Sequence, residues 1–253
     1  MSQNLDHFDK NGFVILKNFI QDEDFNSICE KLKKDVLIEF NKLEKTGGSL
    51  MGNLNISPGS YSQIIFEKFN TKEFQNIIKE ISKKNLSSFD IISGGNLNFQ
   101  YNYNQHFHTD SKFDSSFLII NIVTEDISET NGPLEIIPGT QKNKLPYWKI
   151  LFKKSVKIIA KRGDLIIRTS NLWHRGTINF SQNPRLLLAY ILKNKLGDNG
   201  KLNFDNDNKL KILNNLFKPN LKGIIKENFY TRLSYIYKSY RLLRSFFTNK
   251  HFH

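Results

Sequence analysis

The sequence predicts a mainly β fold with flanking helices, whose core is a double-sheet jelly roll or a cupin-like barrel. From about Gly95 onward, short β-rich runs are separated by turn-forming residues, and no helical patterns alternate with them as in a βα protein. With 253 residues, 39% of them hydrophobic, the chain is long enough for one large domain. The seven runs are residues 97–103, 117–123, 134–137, 156–160, 165–168, 172–178 and 186–192, and the turns between them include 131–133, 138–139 and 163–164.

Two helices are predicted before this core. A short strand over residues 12–20 precedes the first helix, which begins at Asp22 and has apolar residues at helical spacing. The second helix follows Thr71, whose hydroxyl can accept a hydrogen bond from the first turn. Residues 46–60, between the helices, are rich in glycine and are predicted to form a loop, a candidate lid. The apolar faces comprise Phe25, Ile28, Leu32, Val36 and Leu43 in the first helix and Phe74, Ile77, Ile78 and Ile81 in the second.

The C-terminal part differs from the rest in charge and in pattern. From Lys209 onward the chain has ten Lys or Arg residues and one acidic residue, Glu227, which gives this part a net charge of +9. Residues 1–208 therefore carry only +4 of the total +13. Residues 227–250 also have large apolar residues at helical spacing. We therefore predict a β-rich domain over 1–195, which carries the function, and a basic helical extension over 196–253. The apolar stripe is Phe229, Leu233, Ile236, Tyr240, Leu243 and Phe247.

This stripe has three alternative partners. It can dock on the domain, on a partner subunit, or on an anionic membrane surface as a peripheral helix. The positive charge belongs to the tail and not to the core, so we expect no nucleic-acid partner.

Cysteine usage indicates a reducing compartment. Cys29 is the only cysteine, so the chain has no intramolecular disulfide and no cysteine-based zinc site. The N-terminal residues do not have the charged-then-apolar pattern of a signal peptide or the length of a membrane span. We therefore expect a cytoplasmic location.

A His-x-Asp triplet is the first candidate for chemistry. Residues two apart in a strand point the same way, so His108 and Asp110 can present an imidazole and a carboxylate to one ion. With a second histidine they would form a facial triad, which leaves three octahedral positions open for an oxidisable co-substrate and O2 at Fe(II). A second triplet, His7 to Asp9, lies outside any strand run, and we interpret it as a surface feature.

His174 and Arg185 complete the pattern. Arg185 follows His174 by eleven residues, at the start of the next run, and the intervening turn formers predict a hairpin that brings the two strands together. An arginine there can bind a carboxylate through two parallel hydrogen bonds. A dicarboxylate could then span the metal and Arg185.

Several segments, spread in order over roughly residues 8–193, resemble the phytanoyl-CoA dioxygenase-like branch of the Fe(II)/2-oxoglutarate oxygenases. This resemblance implies a double-stranded β-helix fold with His108, Asp110 and His174 as iron ligands and Arg185 at the distal carboxylate of 2-oxoglutarate. It also implies oxidation, most simply hydroxylation, of a small-molecule or acyl/sugar-type substrate with release of succinate and CO2. The segments are residues 8–16 (FDKNGFVIL), 108–110, 131–140 (NGPLEIIPGT) and 163–165, with His174, Asn179, Ser181, Pro184 and Arg185.

The chain departs from this family's pattern at positions that are not metal ligands. The family often has Gln or a similar polar residue where this chain has Thr109. It often has His where this chain has Gln141. A polar residue is often found where this chain has Gly176, so Thr177 is predicted to supply the second contact to 2-oxoglutarate. Halogenating relatives have a small residue at the carboxylate position, and the retained Asp110 predicts hydroxylation or a related oxidation.

Two other functions stay open at this point. His106 shares the strand face of His108, so His106, His108 and His174 could form a cupin-like site of an isomerase type that uses no oxoacid. The chain could also be a non-catalytic jelly-roll binding protein. An anionic substrate is compatible with the sequence, but Lys161, Arg162 and Arg168 are predicted to be solvated residues at strand ends, not site residues. The sequence does not identify the substrate.

Overall fold

Two β-sheets and a helical layer form the fold of the computed structural model, which describes residues 3–42, 53–99, 103–195, 202–203, 209–213 and 220–247. The larger sheet has eight strands in the order β1-β7-β4-β9-β3-β2-β11, with β10 paired to β3, and the smaller sheet has the order β6-β5-β8. The strands are β1 (Phe13–Leu16), β2 (Asn53–Ser57), β3 (Phe89–Asn98), β4 (Leu118–Val123), β5 (Leu134–Ile136), β6 (Val156–Ile158), β7 (Leu165–Thr169), β8 (His174–Gly176), β9 (Arg185–Asn194), β10 (Leu202–Asn203) and β11 (Lys211–Leu213). The helices are α1 (Gln3–Asn11), α2 (Glu23–Asn41), α3 (Tyr61–Phe69), α4 (Lys72–Ser82), α5 (Tyr147–Ile150), α6 (Leu221–Tyr230) and α7 (Ser234–Phe247).

The predicted jelly-roll class is confirmed, and strand alternation explains how the layers pack. In β7, Leu165 and Ile167 pack with the helices, whereas Ile166 packs in a second core that also contains residues of the smaller sheet. In β9, Leu186 and Leu187 divide in the same way. The larger sheet is therefore covered by helices on one face and by the smaller sheet on the other. Arg168 lies two residues after Ile166 and Arg185 two residues before Leu187, so both arginines are on the inner face, towards the smaller sheet.

The helix starts follow the predicted capping. The side chain of Asp22 accepts a hydrogen bond of 2.8 Å from the backbone N–H of Asp24 at the start of α2. Thr71 Oγ1 accepts one of 3.2 Å from the backbone N–H of Phe74 at the start of α4. Both helices bury most of the predicted apolar face, with Ile28 and Ile77 only partly buried, and Leu43 lies outside the described residues.

The turn between β6 and β7 shows why Gly163 precedes Asp164. Gly163 has a φ of +87°, and a Cβ there would lie 2.6 Å from the carbonyl oxygen of Ile20. The fully buried Asp164 accepts hydrogen bonds from Lys17 Nζ and from the backbone N–H groups of Asn18 and Lys161. The predicted turn therefore also joins the N-terminal strand to the core.

Several element predictions were wrong. Residues 53–57 of the predicted loop form β2, where Leu54 and Ile56 alternate with asparagines and bury against β3, while residues 46–52 lie outside the described residues. The predicted strand 12–20 is shorter, and α1 and α3 were not predicted. The C-terminal stripe spans two helices, not one, because the helix is interrupted between Tyr230 and Ser234.

The predicted hairpin between the strands of His174 and Arg185 was also wrong. β8 pairs with β5 in the smaller sheet, whereas β9 pairs with β3 and β4 in the larger sheet. The chain between them crosses from one sheet to the other, so the two residues come from facing sheets. Among the helices that the structure describes, none combines the length and apolar character needed to cross a bilayer.

Candidate metal centre

His108 and His174 meet at a single antiparallel bridge. Each backbone N–H donates to the other residue's carbonyl oxygen, at 2.9 Å from His108 and 3.0 Å from His174. The bridge brings the ring centroids to 4.5 Å from each other. The prediction placed His108 in a strand, whereas the structure has only an isolated bridge there. The bridge nevertheless orients His108 as a strand would.

Asp110 completes the group. Its backbone N–H donates to the carbonyl oxygen of Ser170 at 2.8 Å, which ties the segment after His108 to the end of β7. Its Oδ2 lies 3.4 Å from Nε2 of His174, and its Oδ1 lies 3.9 Å from Nε2 of His108. The three ligand atoms lie within 4.8 Å of one another, so one ion can contact all of them.

Hydrogen bonds to the backbone set the histidine tautomers. Nδ1 of His108 lies 2.8 Å from the carbonyl oxygen of His106, and Nδ1 of His174 lies 2.9 Å from that of Leu172. A carbonyl oxygen only accepts, so Nδ1 carries the proton in both rings. Each Nε2 then offers its lone pair to the centre, which is the arrangement that metal-binding histidines need.

Burial and charge favour the ligand protonation states. Burial, together with the nearby Arg168 guanidinium, lowers the pKa of His174 to about 3, so this imidazole is neutral at pH 7. Burial also lowers the pKa of His108. For Asp110, burial opposes ionisation, but His174 and Arg168 outweigh it and hold the pKa below its usual range. The centre thus has two neutral imidazoles and one carboxylate.

Arg168 belongs to this centre, and its prediction as a solvated strand-end residue was wrong. Its Nη2 lies 2.8 Å from Oδ2 of Asp110, its Nε donates to Oδ1 of Asn121 at 3.3 Å, and the residue is buried. Its parity with the inward-facing Ile166 was a sequence signal for this position. By contrast, Lys161 is largely exposed, in agreement with the prediction.

Arg185 is buried between the sheets, and part of its guanidinium lacks a hydrogen-bond partner among the described residues. It is 3% exposed, and its Nε and Nη1 have no hydrogen-bond partner in the part of the chain that the structure describes. Burial, partly offset by Glu125, lowers its pKa to about 10, so the guanidinium stays charged at pH 7. An unpaired buried charge is costly, so this residue fits an anion that binds from outside the chain.

Thr177, which was predicted to supply the second contact to 2-oxoglutarate, is buried. Its Oγ1 donates to the carbonyl oxygen of Pro133 at 2.7 Å. This hydrogen bond uses the only proton of the hydroxyl, so a contact to a carboxylate would require the hydroxyl to exchange partners. Its role stays a prediction.

The competing candidates lie elsewhere. Within the described residues, the one group of three potential metal ligands consists of His108, Asp110 and His174, and it includes neither His106 nor His7. The His106 ring instead contacts Tyr237 at a centroid distance of 4.7 Å. The side chain of Gln141 donates to the carbonyl oxygen of Asp9. A cupin-like site that uses His106 is therefore not favoured.

A part of the site environment was not predicted. Arg241 of α7 is 2% exposed, and its Nη2 donates to the carbonyl oxygen of Phe107 at 2.7 Å. Its guanidinium also lies over the ring of Tyr147, 4.1 Å from the centroid. Phe107 immediately precedes His108, so the C-terminal helix is fastened next to the metal ligands.

Sequence comparison identifies one family. The family model described as phytanoyl-CoA dioxygenase (PhyH) matches residues 8–187, which include His108, Asp110, His174 and Arg185. No curated protein sequence matches the chain significantly.

Solved structures with a similar fold include non-haem oxygenases. The chain is 11% identical to the non-haem α-ketoglutarate-dependent carbocyclase SnoK from nogalamycin biosynthesis, with a TM-score of 0.61 over 77% of this chain and 84% of that one. It is 13% identical to AviO1 from Streptomyces viridochromogenes, with a TM-score of 0.60 over 78% and 96% of the respective chains. It is 15% identical to EctD from S. alaskensis, solved with 2-oxoglutarate and 5-hydroxyectoine, with a TM-score of 0.57 over 77% of this chain and 76% of that one.

Proposed function

The chain belongs to the phytanoyl-CoA dioxygenase family of Fe(II)- and 2-oxoglutarate-dependent oxygenases, and from that premise we propose how its own residues serve this chemistry. His108, Asp110 and His174 hold Fe(II), and Arg185 binds the distal carboxylate of 2-oxoglutarate. The observation that carries the proposal is the pairing of a compact His-Asp-His group with a buried guanidinium whose Nε and Nη1 lack partners among the described residues.

The protein residues bind and orient the reactants. The two backbone carbonyls that accept from Nδ1 keep both Nε2 atoms turned to the metal, and Arg168 keeps the Asp110 carboxylate ionised and in place. Arg185 fixes one end of the co-substrate. Bound Fe(II) supplies the activation of O2 that couples oxidation of 2-oxoglutarate, to succinate and CO2, to oxidation of the substrate.

Hydroxylation is the reaction outcome that we propose. Asp110 occupies the carboxylate position and forms an ion pair there, so this position is not available to a halide. Thr177 remains the candidate for a second contact to 2-oxoglutarate.

The substrate is proposed to be a small molecule. The epimerase SnoN was solved with nogalamycin RO, and EctD with 5-hydroxyectoine, and both share the fold of this chain. An anionic group on the substrate would suit the buried Nη1 of Arg168, which has no hydrogen-bond partner within the described residues. Acyl and sugar derivatives stay alternatives.

The remaining proposals concern location and organisation. A single buried cysteine, Cys29, agrees with a reducing compartment such as the cytoplasm. The division into a β domain over 1–195 and a basic helical extension over 196–253 also stays a proposal. In the second part, the contacts of Arg241 support an extension that packs on the domain near the metal centre.

Anaerobic titration tests the proposed centre. Fe(II) and 2-oxoglutarate added to the metal-free protein should produce the visible charge-transfer band of the chelated complex. Asp110→Ala should abolish the band and succinate production. Asp9→Ala, in the other His-x-Asp triplet, is the matched control and should leave both unchanged. A normal band in Asp110→Ala would contradict the assignment, whereas a metal-bound protein that never releases succinate would favour the isomerase or binding-protein alternative.

A further inference from the structure

The C-terminal helix α7 packs with the opposite face from the one that its sequence predicts to be buried. Its apolar stripe is turned away from the protein, and its polar residues Arg241 and Ser245 are buried at 2% and 4% exposure. The stripe residues of α7 and the segment just before it, which we call the outer stripe, are Leu233 (48% exposed), Ile236 (55%), Tyr240 (49%), Leu243 (61%) and Phe247 (85%). The predicted docking of this stripe on the domain is therefore not what the structure shows.

The contacts of the polar face hold the helix in this orientation. Arg241 donates to the carbonyl oxygen of Phe107 and stacks on Tyr147, and Phe246 stacks on Trp148 with a centroid distance of 5.8 Å. Turning the outer stripe inward would break these contacts and would require new partners for the guanidinium.

Segments that contact α7 also have exposed apolar residues. Leu221, Ile224 and Ile225 of α6 are 75%, 51% and 60% exposed. Leu151 and Phe152, just after the helix α5 that packs on α7, are 48% and 84% exposed. Scattered apolar residues are common on protein surfaces, but a concentration on one small part of the chain marks an interaction surface.

The charge around this surface selects the partner. Apart from the buried Arg241, residues 220–247 contain five basic residues, Lys222, Lys226, Arg232, Lys238 and Arg244, against the single acid Glu227. Lys149, Lys153 and Lys154 add further positive charge beside Phe152. Large apolar and aromatic side chains flanked by cations are typical of helices that lie in the interface of an anionic bilayer. A second copy of the chain would present the same excess of positive charge and would be repelled.

We propose that α6, α7 and the segment 149–154 dock on an anionic lipid bilayer. The outer stripe enters the interface, and the surrounding lysines and arginines contact the lipid headgroups. Because Arg241 joins α7 to the residue before His108, docking holds the metal centre close to the bilayer.

Vesicle co-sedimentation of the full chain tests this proposal without any measurement of activity. The protein should bind phosphatidylcholine vesicles that contain phosphatidylglycerol, and added salt should weaken the binding. The double substitution Leu243→Asp with Phe247→Asp should reduce the affinity at least about tenfold, because two apolar side chains no longer leave water. Lys238→Glu should reduce it about fivefold or more at low salt. Ile38→Asp, at a position on α2 that is 45% exposed, is the matched control and should have no effect.

Four outcomes would overturn the proposal. They are no binding by the unchanged protein at low salt, equal binding to vesicles without phosphatidylglycerol, unchanged binding by the double variant, and a concentration-dependent dimer that the same double substitution abolishes. Circular dichroism and the Fe(II)/2-oxoglutarate band show whether each variant is folded. Because the substituted side chains are already exposed, the variants should retain both signals.

Discussion

Arg168 and Asp110 form an ion pair inside the metal centre, with Nη2 2.8 Å from Oδ2, in which the arginine side chain is buried and the carboxylate is partly buried. The pair comes from two segments of the chain that the backbone hydrogen bond from Asp110 to Ser170 holds side by side. The guanidinium offsets the cost of burying the carboxylate and fixes its orientation. In our interpretation, Arg168 is a positioning residue for the metal ligand Asp110.

Arg168→Met should weaken metal binding. Methionine keeps much of the side-chain volume but leaves the Asp110 carboxylate without its cation. We therefore expect Fe(II) affinity to fall by about 10- to 100-fold, the usual effect of removing a residue that holds a metal ligand in place. Isothermal titration calorimetry of the metal-free protein with Fe(II) measures this affinity. Arg168→Lys should recover part of the affinity because it restores the charge. Lys161→Met, which alters an exposed residue before the same strand, should bind metal normally. Equal affinities in all variants would exclude this role.

Arg185→Met should have opposite effects on the free and the ligand-bound protein. Removal of a buried guanidinium whose Nε and Nη1 lack partners among the described residues should stabilise the ligand-free protein by about 1–3 kcal/mol. The same change should weaken 2-oxoglutarate binding by about 2 kcal/mol or more, or roughly 30-fold. Thermal unfolding with and without 2-oxoglutarate measures both effects, and the increase in Tm caused by 2-oxoglutarate should disappear. A lower Tm in the absence of 2-oxoglutarate would mean that Arg185 has a structural partner instead.

The sequence predicted the strands of the core and the members of the metal centre well, for a local reason. Strand runs are separated by turns that need special backbone conformations, and Gly132, Gly139 and Gly163 all have positive φ as those turns require. The order of the motifs along the chain also placed the two histidines and Asp110 in one centre. The turn signals lie within a few residues, whereas the order of the motifs extends from His108 to Arg185.

Pairing between distant segments was not predictable in the same way. The run of turn formers after His174 is compatible with a hairpin, but the chain uses it to cross between sheets, and only long-range packing decides between these. The burial of Arg168 and Arg241 was missed because a basic residue near an element end is usually solvated. The parity of Arg168 with Ile166 contained the correct answer, whereas nothing near Arg241 indicated its contact with Phe107.

The ligand-free protein should lose stability in mild acid because of its buried histidines. A His with a folded pKa of about 3 and an unfolded pKa near 6.5 binds more protons when unfolded, so stability falls as the pH drops from about 6.5 towards 3. Asp110, whose pKa is lowered, adds a loss of the same sign below pH 4. At pH 5 the contribution of His174 amounts to about 2 kcal/mol.

Urea denaturation at pH 7 and at pH 5, in the presence of a metal chelator, measures how the free energy of unfolding depends on pH. His174→Gln should be less stable than the unchanged protein at pH 7 but should lose about 2 kcal/mol less on going to pH 5. His7→Gln is the matched control, and its loss between the two pH values should equal that of the unchanged protein. An equal loss in His174→Gln would show that His174 is not buried in the neutral form.

Arg241→Met should release the C-terminal helix from the domain. The substitution removes the hydrogen bond to the carbonyl oxygen of Phe107 and the stacking on Tyr147, which together contribute about 1–3 kcal/mol. Hydrogen exchange measured by mass spectrometry should then be faster over α7 and over the segment before His108, with little change in β4 and β9. Lys238→Met, at an exposed position one turn earlier, should exchange like the unchanged protein. If exchange over α7 were unaffected by the loss of Arg241, the helix would have to be held by its aromatic contacts, chiefly Phe246 on Trp148, and Phe246→Ala should then produce the faster exchange instead.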